Sequence, residues 1–170
     1  MEAAAPTLTD PARGYAPPEE KRPLGGYLLL TVLFQALVAL GVLLLRRSGR
    51  ALPERYPVSD VLLAGAATHK LARLIGKDKV TSFVRAPFTE YQGKGGPSEV
   101  EETPRGSGLR YAVGELLVCP NCLGLWVATG FGLGLAAAPR TTRLVALVLS
   151  SLGISDFLQV AYKAAEEKGL

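Results

Sequence analysis

Gly26-Tyr27-Leu28-Leu29-Leu30-Thr31-Val32-Leu33-Phe34-Gln35-Ala36-Leu37-Val38-Ala39-Leu40-Gly41-Val42-Leu43-Leu44-Leu45 runs for twenty residues without a charge. Thr31 and Gln35 are its only interruptions. At about 1.5 Å per residue this is a helix of about 30 Å, the thickness of the hydrocarbon layer. Arg46, Arg47, Arg50 and Arg55 stop it. Nothing else in a chain of this size can wrap such a helix in protein, so residues 25–46 are read as a transmembrane helix.

The composition agrees once its distribution is considered. Apolar residues make up 48% and charged residues 20% of the 170 residues, which would suit a soluble domain. Here the apolar residues fall into long blocks and the charges collect between them. The net charge of +4 and the 7% aromatic content leave no basic, aromatic-interleaved surface, so nucleic acid is not an expected partner. Two cysteines close in sequence cannot form a disulfide framework, and no Cys-x-x-Cys-His is present for covalent haem attachment.

On the N-terminal side, residues 1–24 are rich in alanine, proline and charge (Pro6, Pro11, Pro17, Pro18, Glu19, Glu20, Lys21, Arg22, Pro23). Such a segment cannot bury enough apolar surface to offset its ordering entropy and is expected to be a disordered tail. It is also too long and too rich in proline for the charged start of a signal peptide.

Toward the C-terminus three more segments follow. Val58 to Gly76 is apolar but carries Asp60 near one end and His69, Lys70 and Arg73 toward the other. Lys77 to Phe88 places Val80, Phe83 and Val84 on one helical face, as in an interfacial amphipathic helix stopped by Pro87; an ordinary soluble helix cap is the alternative. Residues 89–108 hold five glycines, two prolines and four glutamates and read as a soluble loop. No strand precedes Gly93, Gly95 and Gly96 and no Gly-Lys-Ser/Thr follows, so this is not a phosphate loop.

Leu109 to Ala138 is either one kinked helix or a short lead-in helix followed by a spanning helix from Pro120. Proline suits a first helical position and damages an interior, which favours the second reading. Gly130 and Gly134 form a Gly-x-x-x-Gly pair of the kind that lets membrane helices approach closely. Pro139 to Thr142 is a tight connection, and Arg143 to Tyr162 is the last apolar segment.

The expected fold is therefore an all-α membrane protein with four transmembrane helices, a short interfacial helix and a long polar loop. Residues 25–46 form an accessory span, 58–163 a three-helix membrane domain and 164–170 a tail. Six basic residues crowd the two short loops, at Arg46–Arg55 and Arg140/Arg143. The opposite side carries more Lys and Arg in total at lower density. Short loops weigh most in setting orientation, so the N-terminus is expected outside.

This topology places several polar residues in one leaflet. His69, Asp156, Cys119 and Cys122 lie at similar depth, and Arg73 and Glu115 lie one layer nearer water. Ionisable groups at such depth are costly unless paired. Structural pairing of Arg73 with Glu115 and His69 with Asp156 is one reading. A metal site of Cys119, Cys122, His69 and Asp156, which zinc would suit, is another. Cys119-Pro120-Asn121-Cys122 also fits thiol–disulfide chemistry, with Cys119 lowered in pKa at a helix start and Cys122 resolving. The third option is inert packing of two small thiols. No hydrolase elbow and no His-Glu-x-x-His is present, and His69 is the only histidine.

Several short runs, taken in order, resemble a bacterial membrane family. They are Thr68-His69-Lys70-Leu71, Asp78-Lys79-Val80, Phe83-Val84-Arg85-Ala86-Pro87-Phe88, Gly106-x-Gly108-Leu109-Arg110, Gly114-Glu115-Leu116-Leu117 and Cys119-x-x-Cys122-x-Gly124-x-Trp126. That family is catalogued as domain of unknown function number 1360, and some Bacillus members are described as sporulation proteins. The resemblance covers about Val58 to Tyr162. It implies membrane location and a shared site around His69, Arg85, Arg110 and the cysteines, and it supplies no mechanism.

The expected protein is a multi-pass protein of the bacterial cytoplasmic membrane, in the cell envelope. Its role would be structural, metal-binding or interactive, with the lipid bilayer and either a second copy or another membrane protein as partners. The alternative is a membrane thiol–disulfide protein using Cys119 and Cys122. A small transporter would draw on the buried charges but needs oligomerisation to form a pathway.

Overall fold

A computed structural model describes residues 15–17, 20, 22–50 and 52–169. Most of the expected N-terminal tail lies outside the described residues. The chain is mainly helical, with one small antiparallel hairpin. The long helices are α1 (Leu24–Arg47), α2 (Val58–Gly76), α5 (Pro120–Ala137) and α6 (Pro139–Glu167). Between α2 and α5 lie a 3-10 turn (Lys79–Thr81), α3 (Ser82–Arg85), β1 (Thr89–Lys94), β2 (Val100–Pro104) and α4 (Gly108–Val118).

Local chemistry sets the joints. Pro120 and Pro139 each stand at a helix start, where the missing N–H costs nothing. Proline pushes the residue before it out of helical geometry, and Cys119 accordingly sits at φ −107° and ψ 99° between α4 and α5. Ala138 alone links α5 to α6. Arg46 and Arg47 occupy the last turn of α1 and Arg73 that of α2, where cations complement the helix dipole.

α2 lies against both α5 and α6. It runs parallel to α6: Asp60 pairs with Arg143 near both starts, and Lys70 pairs with Asp156 farther along. α1 runs beside α4 and α5, with Phe34 edge-on to Trp126 at 5.1 Å. The enclosed apolar core is small: Ala67, Phe131 and Ala146, flanked by Leu63, Leu71, Val127 and Leu149. Most large apolar side chains point outward instead, including Leu28, Leu33, Leu40 and Leu44 on α1 and Leu147, Leu152, Phe157 and Leu158 on α6. An outer surface of this extent marks contact with a membrane or with other protein.

Three expectations need correction. Three helices, α1, α5 and α6, are long and apolar enough to cross a membrane, not four. α2 has the expected bounds but carries Asp60, Lys70 and Arg73 within nineteen residues. The soluble loop is largely a hairpin, with Thr89 opposite Pro104, Lys94 opposite Val100 and a bulge between Tyr91 and Gly93. The interfacial helix is shorter than expected, a 3-10 turn and one α-turn that ends at Arg85. The division of the third block at Pro120 is as expected.

Candidate functional site

The polar head on one end of the bundle is assembled around Arg85. Its side chain is 0% exposed, the largest fully buried side chain among the described residues. Nε donates to Glu102 on β2, which is itself only 6% exposed. Nη1 donates to Ile75 O in the last turn of α2 and to Thr81 Oγ1 at 2.9 Å, and Nη2 to Asp78 O at 3.0 Å. One guanidinium thus joins α2, the 3-10 turn and the hairpin, using the planar fork that suits Arg to such roles.

The hairpin carries its acids over the basic end of α2. Arg73 pairs with Glu99, and Lys77 with Glu101 at 2.9 Å. Lys79 N–H donates to Ser98 O and Val100 N–H to Lys77 O, which stitch the turn to the hairpin's second arm. Below it, Arg110 donates twice to Pro87 O, at 2.9 and 2.7 Å, and Arg105 N–H donates to Phe88 O at 3.0 Å. Gly114 on α4 allows this closeness: a Cβ there would lie 2.6 Å from Phe88 O and 3.0 Å from Pro104 Cβ. Asp78 caps the 3-10 turn by accepting from Val80 N–H at 3.3 Å.

The cysteines sit where the head meets the bundle. Cys119 and Cys122 form a disulfide across the first turn of α5. Cys119 Sγ also accepts from Cys122 N–H at 3.2 Å. Opposite them, Gly76 at the end of α2 closes on Leu117 O; a Cβ there would lie 3.0 Å from that oxygen. Cys122 is exposed and Cys119 is half-buried.

The anticipated polar partners are exchanged. Arg73 does not meet Glu115; the hairpin supplies Glu99 instead. Glu115 accepts from Tyr27 Oη and lies 3.7 Å from Arg22, and so ties α4 to the entry of α1. Arg22 is held above the ordinary guanidinium range by its side-chain hydrogen bonds to Tyr27 and then Glu20, and by the Glu20 charge. Asp156 does not meet His69; it pairs with Lys70. His69 is exposed and stacks on Phe157, ring centres 5.9 Å apart. The proposed quartet of Cys119, Cys122, His69 and Asp156 is therefore not assembled. Among the described residues no group of three or more His, Cys, Asp or Glu is placed to hold a metal.

The remaining motif residues are structural in placement. Gly108 has φ +55°, Gly124 faces Thr68, and Trp126 meets Phe34. Two features escape the sequence reading: the role of Arg85 as the buried centre of the head, and the Asp60–Arg143 pair. The second had a signal, since both residues lie near the starts of segments that enter from the same side.

These features define a class: a helical bundle with an outward-facing apolar surface, internal ion pairs and a polar head stapled by one buried arginine. The chain belongs to the family described as "Protein of unknown function (DUF1360)", whose model matches residues 62–162. It is 29% identical over 102 residues to "Sporulation protein YjcA" of Bacillus subtilis (strain 168), covering 58% of this chain and 86% of that protein. It is 30% identical over 111 residues to "UPF0713 protein YngL" of the same organism, covering 64% of this chain and 82% of that protein. No solved structure matches significantly.

Proposed function

We propose that the chain is a multi-pass protein of the bacterial cytoplasmic membrane that acts non-enzymatically, presenting its polar head to a partner in the cell envelope. The observation that carries this reading is the pairing of α2. Asp60, Lys70 and Arg73 are each matched by an opposite charge from another element. Charges matched in this way let α2 cross as an escorted fourth span, since it tracks α6 from Arg143 to Asp156. The partner is a second copy or another membrane protein. Photo-crosslinking from exposed head positions such as Tyr91 in intact cells tests this reading. A discrete crosslinked band supports it; a chain that crosslinks to nothing from any head position overturns it.

A second reading rests on the Cys119–Cys122 disulfide at the start of α5. In it a substrate thiolate attacks one sulfur and forms a mixed disulfide. The displaced thiolate is stabilised by helix N–H groups. The second substrate thiol then releases an oxidised substrate and leaves the cysteine pair reduced. The sporulation named for one relative is that protein's description, and a role of this kind here is a proposal. Alkylation trapping in cells tests the redox reading: a pair found both oxidised and reduced supports it, and a pair that never changes state ends it.

A further inference from the structure

The chain leaving α2 does not climb away from the bundle. Residues 79–85 fold back beside the last turn of α2, where Thr81 Oγ1 donates to Leu74 O and Arg85 to Ile75 O. This places the 3-10 turn and α3 level with the end of the bundle rather than above it. The outer face of this segment is apolar. Val80 is 74% exposed and Phe83 75%, with Val84 also exposed. Spacings of three and four residues put all three on one side. Lys79, also exposed, flanks them.

We propose that Val80, Phe83 and Val84 form a wedge that enters the bilayer at the boundary between headgroups and acyl chains, with Lys79 directed to lipid phosphates. The inference rests on the membrane reading of the bundle. Lipid is the occupant because the wedge is level with the last turn of α2, and α2 runs in register with α6, where Phe157, Leu158, Val160 and Tyr162 also face outward. Its back is fixed by the fully buried Arg85, so it enters lipid as a preformed body and loses little chain entropy on insertion. A ring at this depth and a lysine beside it are the two anchors used by interfacial segments.

The test uses the full chain in nanodiscs of phosphatidylethanolamine and phosphatidylglycerol, with bromine placed either near the headgroup end or near the tail of the acyl chains. The double variant Trp126→Phe/Phe83→Trp reports from the wedge, and Trp126→Phe/Val80→Trp repeats the measurement at a second position. The introduced indole should emit to the blue of its value in water and resist acrylamide. Headgroup-end bromines should quench it more than tail bromines. Free access of acrylamide with no quenching by either lipid at both positions would overturn the wedge. The unaltered chain, read through Trp126 in the same nanodiscs, tests the membrane reading separately. If Trp126 is quenched by brominated chains and the introduced indoles are not, the wedge alone falls. If none is quenched, both fall.

Discussion

The bundle and the head solve the same problem, joining helices, with opposite materials. In the bundle the contacts are thin: small residues such as Ala67 and Ala146, one large ring at Phe131, and two ion pairs between α2 and α6. The large apolar side chains face away. In the head, apolar contacts are few, and Arg85, Arg110, Arg73 and Lys77 make the joins through charge-assisted hydrogen bonds. In the proposed lipid setting hydrophobic burial does not drive helices together, which leaves small surfaces and polar links to carry the bundle. The head is too small for a real apolar core, and a buried guanidinium takes its place.

The largest expected effect strikes the head. Arg85→Met leaves Glu102 buried and unpaired and strips Ile75 O of its donor, a loss of about 3–5 kcal/mol. Thermal unfolding in detergent micelles should show it, with partial recovery in Arg85→Met/Glu102→Met. An unchanged midpoint would remove Arg85 from the centre of the head. Next comes Gly114→Ala, whose Cβ meets a backbone oxygen that cannot swing aside. It should cost about 1–3 kcal/mol, while Gly124→Ala, with 4.0 Å to Thr68 Cγ2, is expected to be neutral. Equal effects from the two would mean the head is not tightly closed.

In the bundle, Asp60→Asn keeps the shape and removes the charge facing Arg143. The loss is expected to be smaller than at Arg85 or Gly114, because the Arg143 side chain is nearly half exposed and can reach water. The smallest effect belongs to the cysteines. Their ring spans only three residues of separation, so Cys119→Ser/Cys122→Ser should cost about 2 kcal/mol or less. A loss as large as that of Arg85→Met would show that the joint, rather than the head, holds α4 to α5.

The bundle was largely legible in the sequence because lipid writes long charge-free runs, and Gly26–Leu45 is one. The break at Pro120 was legible because proline restricts both its own position and Cys119. The head was not. Its hairpin is exposed on both faces, with Thr89 and Val100 its only buried strand residues, so no alternation of apolar and polar residues marks it. Arg73 has two acids within reach of its depth, Glu115 and Glu99, and only the hairpin's fold decides between them. For Lys70 and His69, adjacent positions on α2, a turn of about 100° decides which one faces Asp156. Sequence depth alone cannot resolve that angle.

The arrangement of bundle and head requires the apolar outer surface to meet lipid. Washing membranes of the expressing cells in alkaline carbonate, then spinning, measures this directly. The chain should stay in the pellet and come into solution only with detergent. Recovery of the chain in the carbonate supernatant would show that the outer surface does not sit in lipid.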